Sequence, residues 1–218
     1  MVSSQAMDPR SPLGDPHLLS LLAQTAALGG AAGFRVDGPR VVADLRGATE
    51  LPIIGIWKDR SAGTDTYITP SVSQALELLY AGADIIAVQA TAGSRPAESF
   101  AEITSAVHAA GGLVMADIST TEEGLSAAAA GADLVATTMA GHTPQSQGSP
   151  RPALNIVGAL LGQVTAPLVV EGGVWSVDHV REAFEAGAWS VVVGSAVTAP
   201  DLITARFVSA APHPVEQG

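Results

Sequence analysis

Short runs of β-branched and other apolar residues alternate with longer segments rich in Ala and Leu along nearly the whole chain. This alternation is typical of βα units around a parallel sheet, whose strands are buried on both faces and read as continuous apolar runs. The apolar runs predict eight strands, at residues 2–6, 31–36, 52–57, 84–89, 112–118, 133–139, 166–172 and 190–195. Helices are predicted at 17–28, 38–47, 71–81, 97–110, 120–130, 152–163, 176–186 and 199–209.

The predicted helices end in similar turns. The stretches AGAD at 81–84, AGAD at 130–133 and AGAW at 186–189 each place a Gly where a helix stops before the next strand. Eight βα units in about 210 residues predict an α/β fold, a single-domain (β/α)8 TIM barrel over residues 1–210. An open doubly wound sheet is the alternative. Residues 211–218, APHPVEQG, are expected to form a disordered tail.

Composition narrows the class of protein. The 218 residues are 47% hydrophobic, enough for one substantial core, and the formal net charge of −11 argues against a nucleic-acid partner. The chain has no cysteine, which excludes disulfides and cysteine-based metal sites. It shows neither a basic amino terminus before an apolar segment nor an apolar run near the roughly 20 residues that cross a bilayer. We therefore expect a cytoplasmic protein without a membrane partner.

Polar residues recur where the predicted strands end, and in a barrel the carboxyl ends of the strands surround the active site. Lys58, the only lysine of the chain, follows the third strand. The other residues at this rim are Arg35, Gln89, Asp117, Thr137, Thr138 and Glu171. Each could serve only a loop hydrogen bond, but as a set they predict a site, with Gln89, Asp117 and Thr138 as candidate substrate-binding residues.

Two glycine-containing turns follow the last two strands. EGG at 171–173 is expected to open a helix after the seventh strand, and GSA at 194–196 follows the eighth. In barrels these two loops often bind phosphate through backbone amides, which Gly allows to approach an anion closely. Tight turns use the same residues, so each turn alone leaves both interpretations open.

Several stretches together resemble one family. They are VSSQAMDPRSPL, GFRVDG, PIIGIWKDR, TYITPS, AGADIIAVQAT, MADISTTEEGL, GADLVATTMAGHT, VVEGG and GAWSVVVGSAVTAPDLIT. In order and spacing, from residue 2 to about residue 208, the chain resembles the N-acetylmannosamine-6-phosphate 2-epimerases, which are (β/α)8 barrels. These enzymes interconvert N-acetylmannosamine 6-phosphate and N-acetylglucosamine 6-phosphate in sialic acid catabolism, without a metal or an organic cofactor.

The resemblance also implies roles for individual residues. It implies that Lys58 and Glu171 are catalytic and that Gln5 and Arg35 contact the substrate. The phosphate contacts that it implies are the backbone around Gly172, Gly173, Gly194 and Ser195. A homodimer is a further expectation that rests on the resemblance alone.

The reaction explains why a lysine is needed. Epimerisation at carbon 2 of the open-chain sugar removes a proton next to the aldehyde and returns one on the opposite face, which requires a base. The pKa of an amine, about 10.4, must fall by roughly two to three units to serve, and arginine cannot replace it. Arg35 is a plausible cationic neighbour, and Glu171 could orient groups or act as a second proton carrier.

Rival chemistries remain for the same residues. Lys58 could form a Schiff base, as in class I aldolases, although the downstream motifs differ. Metal-dependent epimerases of this fold use paired His and Asp ligands, whereas only His142 of the five histidines is expected near the mouth, so no metal is predicted.

Some positions depart from the family pattern. Gln89 stands where the family usually has an Asp, and Gly173 stands where the family often has a basic residue after the Glu-Gly of the seventh strand. After the lysine the family usually has an Arg, whereas this chain has Asp59 followed by Arg60. These departures leave two alternatives open: an epimerase or isomerase of another amino-sugar phosphate, and a sugar-phosphate-binding barrel without turnover.

Overall fold

Eight parallel strands follow one another around a single sheet in the computed structural model, which describes residues 1–6, 11–61 and 63–212. The bridge between Val2 and Val193 joins the first strand to the chain after the last one and closes the sheet. The prediction of a (β/α)8 barrel is therefore confirmed and the open sheet is excluded. The strands are β1 Val2–Ser4, β2 Phe34–Asp37, β3 Ile53–Ile56, β4 Ile85–Gln89, β5 Leu113–Asp117, β6 Leu134–Ala136, β7 Leu168–Glu171 and β8 Ser190–Val192.

Helices connect the strands on the outside of the barrel. They are α1 Pro16–Leu28, α2 Pro39–Arg46, α3 Val72–Tyr80, α4 Phe100–Ala109, α5 Thr121–Ala129, α6 Leu154–Leu160, α7 Val177–Glu185, α8 Ser195–Thr198 and α9 Pro200–Ser209. Side chains fix where several of them begin. Ser99 and Thr120 form capping boxes with the Glu three residues later, which satisfies amides that the helix cannot.

The period of two along each strand divides the core into two layers. Phe34, Val36 and Ile53 face the helices, whereas Ile54, Ile56 and Met115 belong to a cluster of the alternate residues inside the barrel. The side chains that share this inner phase at the carboxyl ends of the strands are polar: Arg35, Gln89, Asp117 and Glu171. The alternation thus directs polar residues toward one end of the barrel interior.

Three predicted elements differ from the structure. The sixth strand ends at Ala136 because residues Thr137–Met139 turn into a 3-10 helix. The EGG stretch does not open a helix: residues 172–176 form a loop, and α7 begins at Val177 with Ser176 as its cap. The short helix α8 between β8 and α9 was not predicted as a separate element. Residues 213–218 of the predicted tail lie outside the described residues, so its disorder stays a prediction.

Candidate active site

A cavity of about 860 Å³ opens at the carboxyl ends of the strands. Nine of the eleven site residues predicted from the sequence line it, namely Gln5, Arg35, Lys58, Thr138, Glu171, Gly172, Gly173, Gly194 and Ser195. Gln89 and Asp117 are fully buried and are not among its lining residues. The barrel therefore gathers residues from six loops or strand ends, spread over about 190 positions of the chain, into one site.

Lys58 stands just beyond β3, where the chain pairs with Ile68 in an antiparallel bridge. Its backbone amide donates to Asp37 Oδ1 at 3.1 Å, and its Nζ lies 3.9 Å from Asp37 Oδ2. The Lys58 side chain is 26% exposed. Asp37 thus fixes both the backbone and the amine of Lys58 at the edge of the cavity.

The surroundings of Lys58 favour the neutral amine. Burial is the largest cause and lowers the pKa of Lys58 below its ordinary value. The negative charges of Asp37 and Glu171 oppose this effect, while the positive charges of Arg35 and Arg60 add to the lowering. A lowered pKa increases the fraction of amine able to accept a proton near neutral pH.

Arg35 joins two carboxylates at the end of the barrel interior. Its Nη1 and Nη2 donate to Asp117 Oδ1 and Oδ2 at 2.9 and 2.6 Å, and Nη1 also donates to Glu171 Oε2 at 2.7 Å. Thr138 Oγ1 donates to Asp117 Oδ1 at 2.7 Å. Burial alone would lower the pKa of Arg35, but the two carboxylates raise it above its ordinary value. Arg35 therefore remains a fixed cation.

Glu171 is the titratable member of this network. Burial raises the pKa of Glu171 to about 7, and the negative charge of Asp117 adds to the rise. Arg35 and Lys58 act in the opposite direction. A carboxyl group with this pKa is present in both protonation states near neutral pH, as a group that gives and takes protons must be.

The loops after β7 and β8 present backbone to the cavity. Gly172 and Gly173 have φ angles of +99° and +76°, which residues with a side chain rarely adopt. Gly194 precedes α8, and Ser195 is the first residue of that helix. Gln5 lies beside them, with its Nε2 donating to Ser3 Oγ at 2.6 Å. Gly172, Gly173, Gly194 and Ser195 thus bring backbone close to any ligand in the cavity.

Comparisons with known proteins identify the family of the chain. A family model described as "Putative N-acetylmannosamine-6-phosphate epimerase" matches residues 19–213. A protein from Thermosynechococcus vestitus, named "Putative N-acetylmannosamine-6-phosphate 2-epimerase", is 39% identical over 92% of this chain and 88% of its own length. One of the same name from Clostridium perfringens is 38% identical over 95% of this chain and 94% of its own. The chain belongs to this epimerase family.

A solved structure agrees with the family assignment. The N-acetylmannosamine-6-phosphate 2-epimerase from Clostridium perfringens superimposes with a TM-score of 0.92 and 37% sequence identity, covering 96% of this chain and 92% of that one. Epimerases are isomerases, so membership of the epimerase family assigns the chain to the isomerase class of enzymes. The resemblance found in the sequence is thereby confirmed.

One departure from the epimerase family pattern, Gln89, has a clear structural role. Its Oε1 accepts from the backbone amides of Tyr67 and Ile68 at 3.0 and 3.3 Å, and its Nε2 donates to Asp65 O at 3.1 Å and to Thr91 Oγ1 at 2.7 Å. Gln89 therefore points at the loop between β3 and α3 and holds it in place. The structure does not bring its side chain to the cavity.

Several residues at the cavity were not predicted from the sequence. Arg151 and Arg206 line the cavity but follow no strand, so a rule based on strand ends could not find them. The guanidinium of Arg206 lies 4.4 Å from the ring centre of Trp175, which also lines the cavity. Asp37 could have been found, because it lies two residues after Arg35 and so points to the same side of β2.

The cavity is positively charged although the protein is acidic. Among the lining residues that the structure describes, five are Lys or Arg, whereas one, Glu171, is acidic. The five are Arg35, Lys58, Arg60, Arg151 and Arg206. Such a surface attracts an anionic ligand to the mouth of this epimerase-family barrel.

The part of the chain that the structure describes contains neither a group of metal-binding side chains nor a membrane-spanning helix. There, no group of three or more His, Asp or Glu side chains could hold a metal ion. No helix in the same residues is long and apolar enough to cross a membrane. The absence of a cofactor in this family member stays a prediction.

Proposed function

We propose that this protein interconverts N-acetylmannosamine 6-phosphate and N-acetylglucosamine 6-phosphate by moving a proton at carbon 2, without a metal or an organic cofactor. One observation carries the proposal: Lys58, with a lowered pKa, and Glu171, with a pKa of about 7, share one cavity beside the fixed cation Arg35. A cofactor-independent epimerisation requires one group that takes the proton and one that returns it on the opposite face.

The proposed reaction begins on the open-chain sugar. The neutral amine of Lys58 takes the carbon 2 proton and becomes an ammonium, and the electron pair of the C–H bond moves into the carbonyl group to form an enolate. Protonated Glu171 then returns a proton to the opposite face of carbon 2, and the carbonyl re-forms. Proton exchange with water restores both groups, so no atom or electron is left over.

Arg35 is proposed to stabilise the enolate oxygen and to bind substrate. Its guanidinium lines the cavity next to Lys58 and Glu171, which supports a contact with the substrate. Asp117 holds the guanidinium through two hydrogen bonds and is proposed to act on the substrate through Arg35. Gln89 is likewise proposed to act through the loop that it holds.

The remaining predicted residues are proposed to bind the two ends of the substrate. Gln5 and Thr138 line the cavity and offer an amide and a hydroxyl group to the sugar. The backbone of Gly172, Gly173, Gly194 and Ser195 is proposed to bind the phosphate. The excess of positive charge in the cavity supports an anionic substrate.

We further propose that the protein is a cytoplasmic homodimer that binds no nucleic acid. The acidic composition supports the last point, since a phosphate-backbone surface needs clustered Lys and Arg. Apolar side chains on the outer helices support self-association: Phe207 and Val208 of α9 are 76% and 64% exposed, and Val197 of α8 is 50% exposed.

Proton NMR in deuterium oxide tests the proposed reaction. With N-acetylmannosamine 6-phosphate, the wild type should produce N-acetylglucosamine 6-phosphate carrying deuterium at carbon 2. Lys58→Ala should slow this conversion by at least about a hundredfold, the scale expected for loss of a general base. The variant should bind substrate and unfold as the wild type does, which separates loss of the base from loss of the fold.

The outcomes distinguish the alternatives. Carbon 2 exchange without the epimer would mean that deuterium returns to the face the proton left, and the proposed role of Glu171 would fail. Exchange in another amino-sugar phosphate but not in N-acetylmannosamine 6-phosphate would indicate a different substrate. Binding without any exchange would mean that the barrel only binds sugar phosphates. Full activity of Lys58→Ala would show that another group is the base.

A further inference from the structure

Arg151 packs across two glycines from neighbouring loops. At Gly173, in the loop after β7, a Cβ atom would lie 2.5 Å from Cβ of Arg151 and 3.0 Å from its carbonyl carbon. At Gly141, after β6, a Cβ atom would lie 3.2 Å from Cδ of Arg151. Both glycines have positive φ angles, +76° and +78°. A side chain at position 173 would therefore overlap Arg151 where it now lies.

His142 holds the guanidinium end of this arginine. Arg151 Nη1 donates to His142 Nε2 at 2.9 Å, and both residues line the cavity. Arginine has no acceptor atom, so this contact requires an unprotonated Nε2. Burial, followed by the charges of Arg151, Arg60 and Lys58, lowers the pKa of His142 and favours that state. The contact uses one of the five N–H groups of Arg151.

The other arginines of the cavity are placed differently. Arg35 is bound to two carboxylates. The guanidinium of Arg60 lies 3.6 Å from the ring centre of Tyr67, and that of Arg206 covers Trp175. Only Arg151, among the arginines that the structure describes in this cavity, packs its own backbone against Gly173 of the glycine loop. Its charge is thus tied to the loop proposed to bind phosphate.

We propose that Arg151 is the side chain that binds the phosphate of the substrate, with Gly173 and His142 as the residues that position it. This inference rests on the proposed function and adds the residue that distinguishes phosphorylated from unphosphorylated sugars. A guanidinium suits this role because two of its N–H groups can donate side by side to two phosphate oxygens. The amides of the glycine loops complete the hydrogen bonds around the anion.

Titration calorimetry with inorganic phosphate tests the proposal without any need for turnover. Arg151→Gln should weaken phosphate binding about tenfold or more, as expected when a hydrogen-bonded charge is lost. Arg151→Lys, which keeps the charge but not the paired donors, should fall between Arg151→Gln and the wild type. Arg181→Gln is the matched control, because Arg181 pairs with Asp178 on the outer surface of α7. It should bind phosphate as the wild type does.

Kinetics then separate recognition from folding. Arg151→Gln should raise KM for the sugar phosphate about tenfold or more and leave kcat within about threefold. Its kcat/KM for unphosphorylated N-acetylmannosamine should stay unchanged. Gly173→Ala should give the same selective loss, since its methyl group would displace Arg151. The double variant Arg151→Gly with Gly173→Arg should recover part of the phosphate binding, because the two Cβ positions are 2.5 Å apart.

Each contrary result has a distinct meaning. Unchanged phosphate binding by Arg151→Gln, or an equal loss for phosphorylated and unphosphorylated sugar, would overturn the role of Arg151. The same loss in Arg206→Gln but not in Arg151→Gln would assign the phosphate to Arg206 instead. If the wild type binds phosphate through Arg151 but epimerises nothing, the proposed function fails while this inference stands.

Discussion

At the scale of single residues, the two proposed proton carriers have pKa values shifted toward each other. Burial lowers the pKa of Lys58 and raises that of Glu171, because each charged form is disfavoured away from water. The Lys58 amine lies 3.9 Å from Asp37 Oδ2, and the Glu171 carboxylate lies 2.7 Å from Arg35 Nη1. Each group therefore has a neighbour of opposite charge that holds its position. The same burial that costs stability thus shifts the pKa of both groups in the direction that favours proton transfer.

The raised pKa of Glu171 predicts a pH-dependent stability. Burial shifts it from 4.5 to about 7, so between these values the folded protein binds more protons than the unfolded chain. The free energy of unfolding should therefore fall as pH rises through this window, by up to about 3 kcal/mol from this group. Glu171→Gln, which cannot titrate, should lose less stability between pH 5 and pH 8 in urea denaturation.

The test compares how steeply the free energy of unfolding changes with pH in the wild type and in Glu171→Gln, not how stable the two proteins are at one pH. Glu185→Gln is the control, because Glu185 is exposed at the end of α7 and should keep the wild-type pH dependence. Equal slopes for the wild type and Glu171→Gln would mean that Glu171 does not titrate in this range.

At the scale of elements, the loop between β3 and α3 connects Lys58, the proposed base, to the buried side chain of Gln89. Ile68 pairs with Lys58, and the backbone amide of Ile68 donates to Gln89 at the end of β4. Asp59 N also donates to Tyr67 O at 2.8 Å, which joins the two sides of the loop. Gln89 therefore contributes to the position of Lys58 although it lies outside the cavity.

Replacing Gln89 should affect both stability and catalysis. Gln89→Ala leaves the amides of Tyr67 and Ile68 without this acceptor, which should lower the free energy of unfolding by about 1–3 kcal/mol. The kcat/KM of the sugar phosphate should fall as well, because the loop that carries Lys58 is loosened. Urea denaturation and steady-state kinetics measure the two effects.

The matched control is Gln163→Ala. Gln163 is exposed after α6, and the hydrogen bond that its side chain donates goes to the nearby Ala159 O. Its loss should change stability by no more than about 0.5 kcal/mol and leave kinetics unaltered. A Gln89→Ala variant as stable and active as this control would show that the loop holds itself.

At the scale of the whole molecule, charge is unevenly distributed, and several outer helices expose apolar side chains. The net charge is −11, yet five of the ten Lys and Arg residues line the mouth of the barrel. On the outside, α8 and α9 expose large apolar side chains that a chain in water tends to cover. The first feature fits an anionic substrate, and the second fits a second copy of the chain.

Sedimentation velocity tests the proposed dimer. The wild type should sediment with twice the chain mass of 21.9 kDa. Phe207→Ser should shift the protein toward the monomer, since Phe207 is 76% exposed on α9 and its burial would favour association.

Tyr80→Ser provides the comparison at equal exposure. Tyr80 is 77% exposed at the end of α3 and should leave the mass unchanged. A wild type that sediments as a monomer would exclude the dimer. A dimer that persists in Phe207→Ser would place the interface on another surface.

The barrel and most of the proposed site can be recognised from sequence patterns. The apolar runs and helical periods repeat eight times, and strand ends in a parallel barrel meet at one rim, so Arg35, Lys58 and Glu171 could be placed together from their positions alone. The strand alternation of period two even marks Asp37, which was overlooked. These features depend on residues that are close together in the sequence, so they can be read without knowing how distant segments pack.

Sequence patterns do not distinguish the polar groups that line the cavity from those that support it, and the folded chain does. Asp117 and Gln89 stand at strand ends like Glu171, but Arg35 covers the first and the β3–α3 loop covers the second. Arg151 and Arg206 come from a loop and a distant helix, and their place depends on how loops pack over the rim. Loop packing is set by contacts between segments far apart in the chain, such as Arg151 on Gly173, and no local pattern encodes them.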